Sequence, residues 1–85
     1  MKVCVQGMWH LGSVTASCLA KVGHEVVGFD TRTQTVGRLN AGKAPIYEPD
    51  LDQLIEEGIA SKLLRFSSEP NASVYDIEVL WVTYD

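Results

Sequence analysis

The ten residues "VCVQGMWHLG" (3 to 12) decide the fold of this 85-residue chain. An apolar run of strand length leads directly into a turn that contains two glycines. After the turn, apolar and small residues recur at the three- and four-residue steps of an amphipathic helix, and these are Leu11, Val14, Thr15, Cys18, Leu19 and Val22. The stretch therefore predicts a strand over residues 2 to 6, a tight turn, and a helix that Gly23 ends as its C′ residue.

The rest of the chain continues the alternation of strands and helices. Further strands are predicted at 25 to 30, 63 to 67 and 77 to 84, and helices at about 33 to 40, at 51 to 58 and briefly after Ser68. Such alternation implies parallel pairing through right-handed crossovers. The predicted fold class is α/β, a Rossmann-like parallel sheet of about four strands in the order 3-2-1-4 with flanking helices, which is half of a doubly wound domain.

Two of these helices begin with capping signals. Thr31 or Thr33 can cap the second helix. Asp50 stands three residues before Gln53, which is the spacing of a capping box, and the helix that follows is predicted to end at Gly58. The inner faces of the two helices are predicted to consist of Val36, Leu39, Leu51, Leu54 and Ile55.

Composition excludes several classes of function. With 46% hydrophobic and 21% charged residues the chain is typical of a folded domain, and its seven basic residues are scattered within a net charge of −4, so no nucleic-acid surface is expected. No run approaches the roughly 20 apolar residues that cross a bilayer, and a cytoplasmic protein is expected. Cys4 and Cys18 are predicted to be buried core residues rather than disulfide partners or metal ligands.

The glycine turn and the acid after the second strand predict a dinucleotide site. In a parallel βαβ unit the helix N-terminus faces the crevice beyond the strand ends, where it favours an anion. Gly7 permits the tight turn and Gly12 permits close contact between helix and strand. Asp30 follows Gly12 by eighteen residues, the distance at which a carboxylate accepts hydrogen bonds from an adenosine ribose.

Trp9 and Arg32 leave alternatives open at this predicted site. Trp9 occupies the middle position, where glycine normally lets the pyrophosphate approach the backbone, so a turn that has lost its ligand is a second interpretation. Asp30 favours NAD over NADP, yet Arg32 two residues later leaves NADP open, and Arg32 is either an exposed cation at a helix start or a group that stacks on adenine. His10 lies in the first helical turn, beside the positive end of the helix dipole, and is not predicted to be a catalytic base.

Three segments carry a resemblance to a known family. The segments 1 to 30, 39 to 51 and 77 to 85 resemble the start of the UDP-glucose/GDP-mannose dehydrogenase family, most specifically in "GHEVVGFD" and "PIYEPDL". The resemblance implies an N-terminal domain that binds NAD, in an enzyme that oxidises a sugar C6 alcohol to a carboxylate by two hydride transfers. Thr35 departs from it, because many members have a lysine there. The predicted cofactor-binding residues are Gly7, Trp9, His10, Leu11, Gly12, Asp30 and Arg32.

The resemblance also implies what this chain lacks. The family's catalytic cysteine and its lysine and asparagine helpers lie beyond position 85, so no catalytic residue is predicted here and the chain is expected to be a fragment or a reduced relative. The expected function is the NAD-binding part of a UDP-glucose or other UDP-sugar 6-dehydrogenase, residues 1 to 85 forming part of its Rossmann-type domain. Nucleotide-sugar substrate would bind only with a missing C-terminal part. The alternative is a non-catalytic interaction module that no longer binds nucleotide.

The strands predict self-association. "VCV", "VVGF" and "VLWV" are apolar at consecutive positions, a pattern typical of strands buried on both faces. Only the short segment after Ser68 is available to cover the second face. A homo-oligomer is therefore expected, formed through the uncovered face or the edge of the fourth strand.

Overall fold

The computed structural model describes residues 1–71 and 76–83. It confirms the α/β class, with strands and helices in the predicted order. The predicted brief helix after Ser68 extends into 72–75, and the last residue of the predicted fourth strand is Tyr84, so both lie partly outside the described residues. The elements are β1 (Lys2–Gln6), α1 (His10–Lys21), β2 (Glu25–Phe29), α2 (Thr33–Asn40), α3 (Leu51–Ala60), β3 (Leu64–Ser67) and β4 (Val79–Val82).

The four strands form one parallel sheet in the predicted order, β3-β2-β1-β4. Val5 of β1 lies between Gly28 of β2 and Trp81 of β4, which fixes the register at the centre of the sheet. The chain runs from β1 outward in one direction to β2 and β3, and later returns to place β4 on the other side of β1. The carboxyl end of β1 is therefore the switch point at which doubly wound sheets bind ligands.

The main core lies on one face of the sheet, beneath α1, α2 and α3. Val3 and Val5 occupy its centre and are at most 4% exposed, and Met8 from the glycine turn is completely buried beside them. The predicted inner residues of α2 and α3 are buried as expected, with Leu54 only partly so. The β-branched residues of the strands supply the flat surface on which these helices pack.

The predicted apolar face of α1 is wrong in three of its residues. Leu11 is 47% exposed and Val22 is 73% exposed, and Cys18 is also exposed, whereas Cys4 is buried as predicted. The buried residues of α1 are small, namely Gly12, Ser13, Ala16, Ser17 and Ala20. Small side chains let the helix backbone approach the sheet closely, so packing distance decides which face is buried here, and of the predicted stripe only Val14 and Leu19 pack partly against the core.

The predicted cap of α2 is wrong, and the predicted cap of α3 is right in its position but not in its hydrogen bonding. The residue at the N-cap of α2 is Arg32, and neither this helix nor α3 has a side-chain hydrogen bond at its cap. Asp50 does precede α3, but in a left-handed conformation with φ 68°, and Gln53 donates to Glu57 instead of completing a capping box. Helix α3 also continues past Gly58, the predicted end, to Ala60. Gly58 is buried where the helix packs against Leu64, and a β-carbon on it would lie 2.8 Å from Cδ2 of that leucine.

Strand β4 has an open edge in the part of the chain that the structure describes. It pairs with β1 alone among the described strands, and Leu80, Trp81 and Val82 are each more than 40% exposed. This is the edge at which self-association is expected, and the homo-oligomer stays a prediction. Within the same residues, no helix is long and apolar enough to cross a membrane.

Candidate cofactor site

The glycine turn brings the start of α1 against the end of β1. Gly7 has φ +94°, a conformation that glycine adopts without a steric penalty, and its N–H donates to the Phe29 carbonyl at 2.9 Å. A β-carbon on Gly12 would overlap the carbonyl oxygen of Gly7 and stand 2.8 Å from its carbonyl carbon. Both predicted glycine roles are present in this geometry, a tight turn and contact between helix and strand backbones.

The N-terminus of α1 is directed toward the carboxyl end of the sheet. The N–H of Ser13 donates to the Trp9 carbonyl at 3.0 Å and is the first bond of the helical ladder. The first turn of the helix precedes this bond, and the helix dipole places partial positive charge there. The arrangement suits a phosphate or pyrophosphate group.

Thr83 ties the end of β4 to this turn. Its hydroxyl lies 2.9 Å from the carbonyl oxygen of Gln6 and 2.8 Å from that of Gly7, and its N–H donates to Gln6 at 3.0 Å. The sequence analysis did not identify Thr83 as a site residue, because a threonine after a strand carries no local signal for a partner 76 positions away. Thr83 positions the glycine turn.

Replacing Thr83 with valine should therefore destabilise the domain by about 1 kcal/mol, because valine keeps the shape of threonine and removes the hydroxyl donor. The measurement is the free energy of unfolding in guanidinium chloride. Thr83→Ser retains the donor and serves as the control. A Thr83→Val variant as stable as the parent would show that the hydrogen bond contributes nothing to folding.

A shallow cleft of about 250 Å³ opens at the carboxyl ends of β1, β2 and β4. Its position matches the switch point of the sheet, where the predicted cofactor would lie. The described residues that line the cleft do not include Trp9, so the indole does not fill it. The lining consists of Gln6, Gly7, Phe29, Asp30, Thr31, Val82 and Thr83.

Asp30 is buried beside the glycine turn, with 6% of its surface exposed. Its Oδ2 accepts the N–H of Met8 at 2.9 Å, which joins the end of β2 to the turn after β1. Hydrogen bonds from the Arg32 side chain lower the pKa of Asp30 to about 2, although burial of the carboxyl acts to raise it. Asp30 is therefore a carboxylate at neutral pH, as ribose recognition requires.

Arg32 is paired with Asp30 and is more than the exposed cation that the sequence allowed. Its Nε lies 2.8 Å from Oδ1 of Asp30 and its Nη2 lies 2.7 Å from Oδ2, and its own N–H donates to Oδ1 at 2.8 Å. The guanidinium carbon also stands 5.2 Å from the ring centre of Trp9, within the range of a cation–π contact. The indole of Trp9 therefore lies on the ribose side of the turn.

His10 links the turn to the loop before α3. Its Nε2 is 3.0 Å from Oε2 of Glu48, and both side chains are roughly half exposed. Tyr47 beside it is 87% exposed. The pair anchors the loop to the start of α1.

The predicted residues form one cluster that fits a dinucleotide. Gly7, Gly12, Asp30, Trp9 and Arg32 surround the carboxyl end of β1, with the helix N-terminus for a pyrophosphate and the carboxylate for a ribose. The His10 side chain faces Glu48, so its backbone is the part that stays available for contact with a cofactor. The contacts themselves stay predictions. Within residues 1–71 and 76–83, no group of three His, Cys, Asp or Glu side chains could hold a metal ion.

Comparison with known proteins identifies the family. The family model described as "UDP-glucose/GDP-mannose dehydrogenase family, NAD binding domain" matches residues 1–84. The chain belongs to this family. The domain is thus an NAD-binding domain, and the family match confirms NAD as the cofactor predicted from the sequence.

Individual relatives agree with the family match. The chain is 39% identical over 69 residues to a GDP-mannose 6-dehydrogenase of Pseudomonas putida, covering 81% of this chain and 16% of that protein. It is 33% identical over 82 residues to a UDP-glucose 6-dehydrogenase of Pseudomonas aeruginosa, covering 96% and 18%. This chain spans about a fifth or less of the length of these relatives.

A solved structure of the family superposes on the whole chain. A crystal structure of a ternary complex of GDP-mannose dehydrogenase from Pseudomonas aeruginosa matches with a TM-score of 0.95 and 32% identity, over 100% of this chain and 20% of that chain. A UDP-D-ManNAc dehydrogenase from Pyrococcus horikoshii matches with a TM-score of 0.92 and 28% identity, over 98% and 20%. The Rossmann-like half domain is therefore the N-terminal architecture of this family.

Proposed function

We propose that this chain holds NAD for the oxidation of the C6 alcohol of a nucleotide sugar, with a UDP-sugar as the predicted substrate, in a reaction that requires catalytic groups other than those of these 85 residues. When bound, NAD accepts a hydride from the sugar carbon. The glycine turn binds the pyrophosphate and Asp30 orients the adenosine ribose. The catalytic groups come from outside this chain.

The observation that carries the proposal is the bond between the Met8 N–H and Oδ2 of Asp30. It brings the acid after β2 to the turn after β1, so that one ligand can contact both the helix N-terminus and the carboxylate. An acid whose only role was to cap α2 would not need a hydrogen bond to the turn after β1. The low pKa of Asp30 keeps the charge that the ribose hydroxyls need as an acceptor.

Calorimetric titration with NAD tests the proposal. We expect a saturable heat at millimolar NAD and about tenfold weaker binding in Asp30→Ala, because hydrogen bonds to a charged acceptor are lost. Arg38→Ala, an exposed change on α2 outside the cluster, is the control and should bind as the parent does. Absence of heat from a protein with intact circular dichroism would contradict the proposal.

The choice of nucleotide base rests on the resemblance alone. The relatives described above include both a GDP-mannose 6-dehydrogenase and a UDP-glucose 6-dehydrogenase, so they do not select between a GDP-sugar and a UDP-sugar. No base-recognising group has been assigned among the described residues.

The alternative, an interaction module without nucleotide, makes a different prediction for Trp9. With Trp81 replaced by phenylalanine, Trp9 is the one remaining tryptophan of the sequence and reports on the turn alone. Its emission should change on addition of NAD, because the indole lies against Arg32 at the ribose side of the site. An unchanged emission together with no calorimetric heat would support the interaction module.

A further inference from the structure

Arg32 changes the charge of the ribose site. Both carboxylate oxygens of Asp30 accept hydrogen bonds from its guanidinium, so the acid that normally repels a 2′-phosphate is paired with a cation. A bidentate pair of this kind is among the stronger ion pairs in proteins. The repulsion that usually lets an acid at this position exclude NADP is therefore weakened here.

Trp9 supports this arrangement. The indole occupies the position where the dinucleotide-binding pattern has glycine, and it lies 5.2 Å from the guanidinium carbon of Arg32. Together with the two side-chain hydrogen bonds to Asp30, this contact holds the guanidinium between the indole and the carboxylate. The departure from the usual pattern at Trp9 and the arginine after β2 thus belong to one structural unit, which we call the Trp9–Arg32–Asp30 cluster.

The guanidinium also remains accessible to a ligand. The Arg32 side chain is 52% exposed, while that of Asp30 is 6% exposed, so an incoming group meets the arginine at the outer side of the cluster. Arginine carries five N–H donors in a planar fork that matches the geometry of phosphate oxygens, and Asp30 accepts two of the five here. A group that reaches Asp30 as ribose hydroxyls do also comes close to this fork.

We propose that the Trp9–Arg32–Asp30 cluster makes this domain accept the 2′-phosphate of NADP in addition to NAD, with Arg32 as the specificity-determining residue. The proposal rests on the proposed function, because it assumes that a dinucleotide binds at the glycine turn. Arg32 donates to the 2′-phosphate, and Asp30 keeps the guanidinium in place. With NAD, the ribose hydroxyls share the carboxylate oxygens with Arg32.

Titration with NAD and NADP in parallel tests this inference. For the parent chain we expect the two dissociation constants to lie within about tenfold of each other, and NADP affinity to fall more steeply with added salt than NAD affinity. Arg32→Ala should weaken NADP binding about tenfold or more relative to NAD. Arg32→Lys, which keeps the charge and loses the bidentate fork, should give an intermediate ratio.

Arg38→Ala is the matched control, because it removes an arginine from the same helix at an exposed position outside the cluster. It should leave the ratio of the two affinities unchanged. If NAD binds and NADP does not, or if Arg32→Ala leaves the ratio as it was, the inference is overturned while the proposed function stands. If neither nucleotide binds to the folded chain, both are overturned.

Discussion

Gly12→Ala is expected to lower the free energy of unfolding by about 3 kcal/mol, at the upper end of the usual cost of overpacking. The new methyl group would overlap the carbonyl oxygen of Gly7 and lie 3.0 Å from the hydroxyl of Thr83. The first of these atoms belongs to the backbone, so the helix or the turn has to move. The gain of about 1 kcal/mol that alanine brings to a helix is too small to offset this.

The control for this substitution is Gly37→Ala in α2. A β-carbon there meets no atom within 4 Å, so the variant should be as stable as the parent or more stable. Denaturation in guanidinium chloride, with linear extrapolation, measures both variants. If Gly12→Ala were as stable as Gly37→Ala, α1 would not lie in contact with the turn and the phosphate site as described would be wrong.

Asp30→Asn is expected to remove about 1 to 2 kcal/mol of stability at neutral pH, and this loss should depend on pH. The pKa of Asp30 is lowered to about 2 in the folded chain by hydrogen bonds from Arg32, from a value near 4 for a free carboxyl. A lowered folded-state pKa contributes stability that is fully present above the unfolded pKa and is lost as the pH falls through the folded pKa. The loss stays this small because the Arg32 side chain is 52% exposed and water screens the pair.

Unfolding measured from about pH 6 to pH 2 tests this expectation. The difference in stability between the parent and Asp30→Asn should shrink as the pH falls. Arg32→Ala should lose most of the same increment, because the guanidinium is its cause, and Arg38→Ala should keep it. Parallel stability curves for the parent and Asp30→Asn would show that the Asp30–Arg32 pair contributes nothing to folding.

The glycine turn and Asp30 could be predicted because each lies at a fixed sequence distance from a strand that the local pattern identifies. Gly7 and Gly12 follow an apolar strand directly, and Asp30 ends the next strand, so the period of each segment and the βαβ rule bring all three to one end of the sheet. The strand order followed from the same rules. Local pattern also placed β1 at the bounds that the structure has.

The orientation of α1 could not be predicted from its pattern. Hydrophobic periodicity selected a stripe that includes Leu11 and Val22, yet the face against the sheet carries Ala16 and Ala20. Periodicity measures which side of a helix is apolar, but it contains no measure of how close the neighbouring layer lies. Where helix and strand are in backbone contact, as at Gly12, only small residues fit between them.

What the sequence by itself determined is the alternation of strands and helices, the parallel sheet, and a turn that brings a helix N-terminus to the switch point with an acid beside it. These features depend on residues close together in the chain, where period and spacing act directly. The tertiary structure alone decided that the Arg32 guanidinium lies against the indole of Trp9, that Asp30 accepts the N–H of Met8, and that Thr83 bonds to the carbonyl of Gly7. Such contacts join residues from separate elements, and they form only once the sheet has brought those elements together.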